Sequence, residues 1–280
     1  MGASPAVRVA ITGASGRMGG ELLEVAAARD DVGFVLGVSQ SPTAVPSGDA
    51  PDAPDAVVDD AELGTALDEY GVDVLVDFTV PGASVEYLRT AAERGVAVVV
   101  GTTGYSELQR TELDEVAAAV PFLKASNFSR GVGALRRAVR EAIAALPGYD
   151  IELTETHHNG KRDAPSGTAL TILDDIDEVR GADTTEDGRV HGRRGEQPRE
   201  GTTEIGVHAR RAGDITGEHE VLVAGNDEVL ELTHRAGSRR IFASGALDAA
   251  VWLAGREPGR YDFDEVLDPD GEESDNEAHR

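Results

Sequence analysis

The 280-residue chain contains no cysteine, which excludes a disulfide framework, a thiolate nucleophile and any thiolate-bound metal. Lysine is almost missing too: Lys124 and Lys161 are the only two among 26 basic residues, the rest being arginine. Aromatic residues make up 4% of the chain, and no apolar run approaches the ~20 residues that a membrane helix needs. The start of the chain lacks a cationic stretch followed by a hydrophobic one, so the expected location is the cytoplasm. Positive charge is scarce overall, with 52 acidic residues against 26 basic and a formal net charge of −26. Phosphate backbones would be repelled, and the short basic pairs Arg193-Arg194 and Arg210-Arg211 are diluted by acids, so a nucleic-acid partner is not expected. An acidic, lysine-poor surface fits a cytosol of molar salt, where carboxylates hold water and cations and their mutual repulsion is screened. The expectation is a halophilic protein.

What is present is an alternation of strand-like and helix-like segments. Val7–Ile11, Phe34–Val38, Val72–Phe78, Val96–Val100 and Pro121–Ala125 read as strands, the valine run as one buried on both faces. Helical spacing fills the intervals at Arg17–Arg29, Leu63–Tyr70, Val85–Ala92 and Glu107–Ala118, while Ser41–Asp55, rich in Pro, Ala, Ser and Asp, reads as loop. This pattern predicts a parallel sheet with helices on both faces. After Asn127 the character changes. A helix over Leu135–Ala145, a strand over Ile151–Thr156 and a helix over Thr168–Val179 precede a charged stretch, Gly181–Gly201, read as a long loop. Strand-like runs at Glu204–Ala209, His219–Ala224 and Val229–His234 suggest an antiparallel meander, and Ala243–Leu253 a closing helix before an acidic tail. The predicted fold is α/β: a Rossmann-type dinucleotide-binding domain over residues 1–127, and an α+β domain with a mixed or antiparallel sheet over 128–240. Residues 241–280 would be a C-terminal helix returning to the first domain, with its tail.

Two segments carry chemistry. Residues 13–19 read GASGRMG between the first strand and the first helix. In that context Gly13 permits a tight turn, Gly16 the close approach of a pyrophosphate, and Gly19 the packing of helix on sheet, with the helix N-terminus facing the anion. Ala14, Ser15, Arg17 and Met18 complete the loop, and Arg17 could add a cation. A glycine turn without ligand is the plainer alternative, but strand, loop and helix in this order favour a dinucleotide. The second strand ends Gly37-Val38-Ser39-Gln40-Ser41, without the acid that commonly receives the ribose hydroxyls of NAD. Repulsion against a 2′-phosphate is thereby removed, so the cofactor is expected to be NADPH or NADH with a lean to NADPH.

Residues 155–169, ETHHNGKRDAPSGTA, form the second segment. A histidine can donate a proton near neutral pH, a lysine is a fixed cation for a carboxylate, and Ser-Gly-Thr at a helix start offers N–H and hydroxyl donors. The group reads as a receptor for a small acid that must gain a proton. A polar loop with Ser166 as N-cap is compatible with that reading. One of only two lysines standing here also favours it, because an ammonium differs chemically from a guanidinium. His208 and His234, in strand-like runs, are expected to be structural. Adjacent His157 and His158 without an HExxH motif argue against a metal site.

These segments fall in a longer ordered series: Asp77-Phe78-Thr79-Val80-Pro81, Gly101-Thr102-Thr103-Gly104, Ser126-Asn127-Phe128-Ser129, Arg211-Ala212-Gly213-Asp214, Gly217-Glu218-His219, and a run from Thr233 through Ser238-Arg239 to Ala246. Together, over nearly the whole chain, they resemble the 4-hydroxy-tetrahydrodipicolinate reductases of the dihydrodipicolinate reductase family. The resemblance implies hydride transfer from NADH or NADPH to C4 of a cyclic imine dicarboxylate in diaminopimelate and lysine biosynthesis. It implies His157 as proton donor and Lys161 beside it, with His158, Lys161, Ser166, Gly167 and Thr168 holding the substrate carboxylates. It further implies that Phe78, Thr79, Gly101, Thr102, Thr103, Ser126, Asn127 and Phe128 line the cofactor, and that the chain forms a homotetramer. Two other readings compete: a related dehydrogenase acting on an amino acid, and a cofactor-binding regulator with no turnover. The first lacks a reason for the His-His-x-x-Lys and PSGT spacing, and the second lacks a basic face.

Overall fold

A computed structural model describes residues 6–181, 188–199, 201 and 203–268. They divide into two compact units, one running up to Ser129 and resuming at Arg239, the other comprising Arg130–Ser238. No helix among the described residues is long and apolar enough to cross a membrane.

The first unit alternates β1 (Val7–Thr12), α1 (Arg17–Ala26), β2 (Val32–Val38), β3 (Ala56–Val58), α2 (Leu63–Glu69), β4 (Val74–Asp77), α3 (Pro81–Ala92), β5 (Ala97–Val100), α4 (Glu107–Ala119) and β6 (Pro121–Lys124). The sheet order is β12-β6-β5-β4-β1-β2-β3, all parallel, with β12 (Gly259–Tyr261) added from the end of the chain. Strand alternation splits the side chains between two cores. Val9, Ile11, Val74, Val76 and Val99 face one, and Ala10, Leu36, Leu75, Val98 and Val100 the other. A one-residue register slip would exchange them, so the β-branched pattern fixes the pairing. α7 (Arg240–Leu253) covers the first core with α1, burying Ala243, Gly245, Ala246, Leu247, Ala249, Ala250 and Leu253, and α8 (Phe263–Leu267) adds Phe263. A Cβ on Gly245 would stand 1.7 Å from the Phe128 carbonyl oxygen, so only glycine lets the helix approach this closely.

The second unit holds α5 (Arg130–Ala145), β7 (Asp150–His157), α6 (Gly167–Arg180), β8 (Arg189–His191), β9 (Ile205–Arg211), β10 (Glu218–Gly225) and β11 (Glu228–Arg235). α5 and α6 pack Leu135, Val139, Ile172, Leu173 and Ile176 on one face of the sheet, against Ile151, Leu153, Val207, Val221 and Val223. Asp175, almost buried, joins the two helices through Arg136 and Arg140. Asn226 and Asp227, both at positive φ, close the β10–β11 hairpin in the mirror-image turn that suits strand twist.

The sheet corrects the expected meander. Its order is β11-β10-β7-β9-β8, with β9 parallel to both β7 and β8. β10 pairs antiparallel with β7 and β11, so β7 stands between β9 and β10. Local alternation marks strands but not their neighbours. Short strands were also hidden: β3 follows the loop after Ser41, β8 lies inside the stretch read as loop over Gly181–Gly201, and β12 precedes a tail that lies outside the described residues from 269 onward.

Candidate active site

In the first unit, β1 runs into the glycine loop and α1. Gly13 has φ +67°, and a Cβ there would meet Thr79 Cγ2 at 2.8 Å. A Cβ on Gly19 would lie 2.2 Å from the Gly13 carbonyl oxygen and 2.7 Å from Ala14 Cα, so the loop folds onto the helix through a bare position. Ala14 is buried and its N–H donates to the Val38 carbonyl (3.1 Å), while Ser15 Oγ shares a hydrogen bond with Ser39 Oγ (2.7 Å). Gly16 is the N-cap of α1 and no side chain caps the first turn. Ser15, Gly16 and Arg17 are exposed and Met18 half-buried. A bare, uncapped helix N-terminus at the carboxyl edge of a parallel sheet is the cradle that a dinucleotide pyrophosphate fits.

Asp77, at the end of β4, is buried and accepts four hydroxyl hydrogens: Thr12 (2.7 Å) and Thr79 (2.7 Å) on Oδ1, Ser84 (2.6 Å) and Thr102 (2.6 Å) on Oδ2. Thr102 Oγ1 in turn accepts from the Thr79 N–H (2.8 Å), and the Gly101 N–H donates to the Asp77 carbonyl (2.8 Å). One carboxylate thus binds the glycine-loop strand, the Phe78–Thr79 turn and the Gly101–Thr103 loop into a single frame. Gly101 is bare because the Phe78 ring lies where its Cβ would stand, 2.1 Å away. Ser126 is exposed, and Asn127 Oδ1 accepts from the Ser129 N–H (2.8 Å). Phe128 is 1% exposed and its ring packs on Phe78 and Phe263, so its side chain backs the loop from the core.

The carboxyl end of β2 also differs from the sequence reading. β3 pairs in parallel with β2, and the residues after it, Asp59 and Asp60, arrive beside Ser39 and Gln40. The Tyr87 hydroxyl (2.7 Å) foremost, together with the Gln40 side chain, holds the Asp60 carboxyl below the usual carboxylate range. An acid therefore does stand at this strand end, donated by the neighbouring strand.

In the second unit, β7 alternation points Glu155 and His157 to one face. Glu155 is fully buried. Its carboxylate accepts from Arg211 twice (2.7 and 2.8 Å), from the Ser166 N–H (3.2 Å) and from His157 Nδ1 (2.5 Å). Burial pushes the Glu155 pKa up, but the Arg211 and His157 hydrogen bonds outweigh it and hold the net value low. His157 is displaced downward, because burial outweighs the pull of Glu155 and the Lys161 and Arg211 charges add to it. With Nδ1 engaged by Glu155, Nε2 is the working nitrogen. A Cβ on Gly217 would stand 3.1 Å from it, so the glycine keeps that edge clear.

Ser166 caps α6 by accepting from the Ala169 N–H (3.2 Å), and its hydroxyl also lies 3.1 Å from His219 Nε2. His219 is buried, its ring stacks edge-on with His157, and desolvation lowers its pKa to about 4. Lys161 pairs with Asp163 (2.9 Å), His158 is half-buried beside Gly160, Gly167 is exposed, and Thr168 is buried in the first turn of α6. The structure thus gathers His157, Lys161 and Ser166 around one pair of strand ends. It adds Glu155, Arg211 and His219, to which the sequence reading gave no role. Two signals were available: Glu155 shares the β-face of His157, and Arg211 opens an RAGD motif.

Two family models, described as dihydrodipicolinate reductase N-terminus and C-terminus, match residues 7–128 and 131–267. A 4-hydroxy-tetrahydrodipicolinate reductase of Natronomonas pharaonis is 52% identical over 93% of this chain and 100% of its own. One of Haloarcula marismortui is 50% identical over 93% and 99%. Among solved structures, a dipicolinate-bound dihydrodipicolinate reductase from Paenisporosarcina sp. TG-14 matches with a TM-score of 0.72 and 23% identity, covering 91% of this chain and 97% of that one, a likeness of fold. The match of both models in order across the two units settles the kinship: the chain belongs to the dihydrodipicolinate reductase family.

Proposed function

We propose that the protein reduces 4-hydroxy-tetrahydrodipicolinate, by way of dihydrodipicolinate, to tetrahydrodipicolinate in diaminopimelate and lysine biosynthesis. The observation that carries this reading is the Glu155–His157 pair, a histidine oriented through Nδ1 by a buried carboxylate and left clear at Nε2. Reduced nicotinamide, as NADPH or NADH, supplies the hydride to C4 of the ring. Gly13, Ala14, Ser15, Gly16, Arg17, Met18 and Gly19 hold the dinucleotide phosphates, while Thr79, Gly101, Thr102, Thr103, Ser126 and Asn127 position its nicotinamide half, with Phe78 and Phe128 packed behind them. His157 gives the matching proton from Nε2, so hydride and proton together saturate one double bond. Glu155 keeps the imidazole in the orientation and tautomer that this requires, and stabilises the charged form before transfer. His158, Lys161, Ser166, Gly167 and Thr168 grip the two carboxylates. Lys161 then exchanges its Asp163 partner for substrate.

The first unit serves as the dinucleotide-binding domain and the second as the substrate domain. Leu222 and Val229 lie on the sheet face of the second unit opposite α5 and α6, and Val229 is 61% exposed, which supports assembly of a homotetramer through that face. The biosynthetic role and the absence of a membrane-spanning helix among the described residues support a cytoplasmic location. The acidic, lysine-poor composition supports a halophilic setting. The deciding experiment is a synthase-coupled assay of NADPH consumption by wild type and His157→Gln. General acid catalysis contributes roughly 10²–10⁴-fold, so a loss below about tenfold refutes the assignment of His157 as proton donor.

A further inference from the structure

The first unit contains a second, differently built cavity. It has a volume of about 350 Å³ and lies where Thr103 and Gly104 leave β5, beside the end of β6 and the first turns of α4. Three cations line it, Arg110, Lys124 and Arg260, against one carboxylate, Asp114, with Tyr105 as an aromatic wall. Asp114 is already paired with Arg260, whose guanidinium also lies over the Phe122 ring at 4.9 Å. Lys124 is half-buried, and its contact is with the face of the Tyr105 ring, the ammonium lying 5.9 Å from the centroid. Neither Lys124 nor Arg110 meets a carboxylate among the described residues. In a chain with twice as many acids as bases, carboxylates are the commonest available partner, so a concave surface with an excess of two positive charges is out of character. One of the two lysines of the molecule is spent here.

Desolvating a cation without a counter-charge is costly, and two neighbouring cations add repulsion. Burial foremost, then Arg260 and Arg110, push the Lys124 ammonium pKa down, which is the electrostatic mark of that crowding. The cavity is also separate from the pyrophosphate cradle. In the sheet, β6 stands three strands from β1, roughly 14 Å at ~4.8 Å per strand. The ribose end of the dinucleotide, at β2, lies beyond β1 in the same direction. We propose that this cavity is a binding site for a small multivalent oxyanion, held between Lys124, Arg110 and Arg260. An excess of two positive charges calls for a dianion. Tyr105 and the Thr103–Gly104 backbone shape the space around it, next to the Gly101–Thr103 loop that the proposed function gives to the cofactor. The site rests on the cations and the cavity alone, and stands whether or not that loop holds nicotinamide.

The test is calorimetric titration of inorganic phosphate into the full-length protein saturated with NADPH, so that the glycine loop is filled. Ionic strength is held constant with KCl. Lys124→Met and Arg110→Gln are titrated beside wild type, with melting curves recorded for each. The expected result is phosphate binding with Kd below about 1 mM, weakened at least tenfold in both variants, each charge-assisted contact being among the stronger hydrogen bonds. Arg110 is exposed, so its variant carries the test if Lys124→Met proves unstable. No binding heat, binding unchanged in Arg110→Gln, or equal displacement by a matched concentration of chloride overturns the proposal.

Discussion

Glu155→Gln is the sharpest test of how the second unit works. The substitution keeps volume and shape but removes the one buried negative charge shared by Arg211, His157 and the Ser166 N–H. Arg211 meets both carboxylate oxygens, so the amide N–H₂ faces the guanidinium in either orientation and leaves it without its counter-charge. One orientation also sets the N–H₂ against the Ser166 N–H. The other sets it against His157 Nδ1 and drives the imidazole to the tautomer protonated at Nε2, which leaves no charged form to donate. Removing one partner of a buried ion pair costs about 3–5 kcal/mol of stability. Losing the orienting partner of a histidine costs roughly 10–100-fold in analogous sites, so kcat should fall about 100-fold, with a smaller change in substrate KM. The sign of the pH effect is fixed as well. Glu155 raises the His157 pKa, so without it the histidine loses its proton at lower pH, and the fall of kcat with rising pH moves toward acid. The assay is the coupled consumption of NADPH across pH for wild type, Glu155→Gln, His157→Gln and the double variant. Residues acting as one unit give non-additive losses, so the double variant should be no slower than His157→Gln alone. A kcat within about threefold of wild type and an undisplaced profile would show that Glu155 serves only as a structural partner of Arg211.

Four further outcomes follow from the geometry. Gly19→Ala should abolish nucleotide binding measured by fluorescence quenching, because its Cβ meets backbone at 2.2 Å; Gly20→Ala, with open space around it, should keep binding and stabilise α1 by about 0.5–1 kcal/mol. Asp60→Asn should raise the NADPH-over-NADH ratio of kcat/KM about 5- to 30-fold, the worth of roughly 1–2 kcal/mol of repulsion between carboxylate and 2′-phosphate; an unchanged ratio removes Asp60 from nucleotide choice. The buried His219 titrates near 4 instead of near 6.5. The unfolded chain therefore binds its proton first, and stability present above pH 6.5 is lost, by about 3 kcal/mol, as pH falls to about 4. Denaturant unfolding of His219→Gln should show a pH slope smaller by about one proton across that window, and an equal slope refutes the assignment. Finally, the melting temperature should rise between about 0.1 and 3 M KCl, over which the Debye length shrinks severalfold; an unchanged value refutes the halophilic reading.

Much of this was legible in residue order because the signals are local. The valine run of β5 marks a strand buried on both faces, and the spacing of Gly13, Gly16 and Gly19 marks a strand–loop–helix junction before any contact is known. Ser166 is readable as a cap from its place before an apolar helical pattern. What escaped depends on partners distant in sequence. Arg211 reaches Glu155 across 56 residues and His219 reaches Ser166 across 53, through a sheet order that puts β7 between β9 and β10. Nothing in three alternating segments distinguishes a meander from that arrangement. Asp60 was hidden for the same reason. The acid rule looks along β2, whereas here the acid arrives from β3, a three-residue strand below the length at which periodicity can be read.

The lowered pKa of His157 bears directly on its proposed role, since a proton donor must hold its proton. In the protein alone, burial keeps the ring neutral near physiological pH, and Lys161 and Arg211 add to the effect. Glu155 cannot reverse this, because much of its charge is engaged by the two Arg211 hydrogen bonds. A substrate with two carboxylates alters the balance. Its negative charges compensate Lys161 and favour an imidazolium where burial alone disfavours one. On the proposed reading, the proton is therefore recruited by the molecule that will receive it. Arg211 keeps the idle site uncharged at His157, and Glu155 keeps the ring aimed. This also accounts for a lysine in a chain that otherwise relies on arginine. A compact ammonium can pass from Asp163 to a substrate carboxylate, whereas a bidentate guanidinium would be held more tightly by the partner it already has.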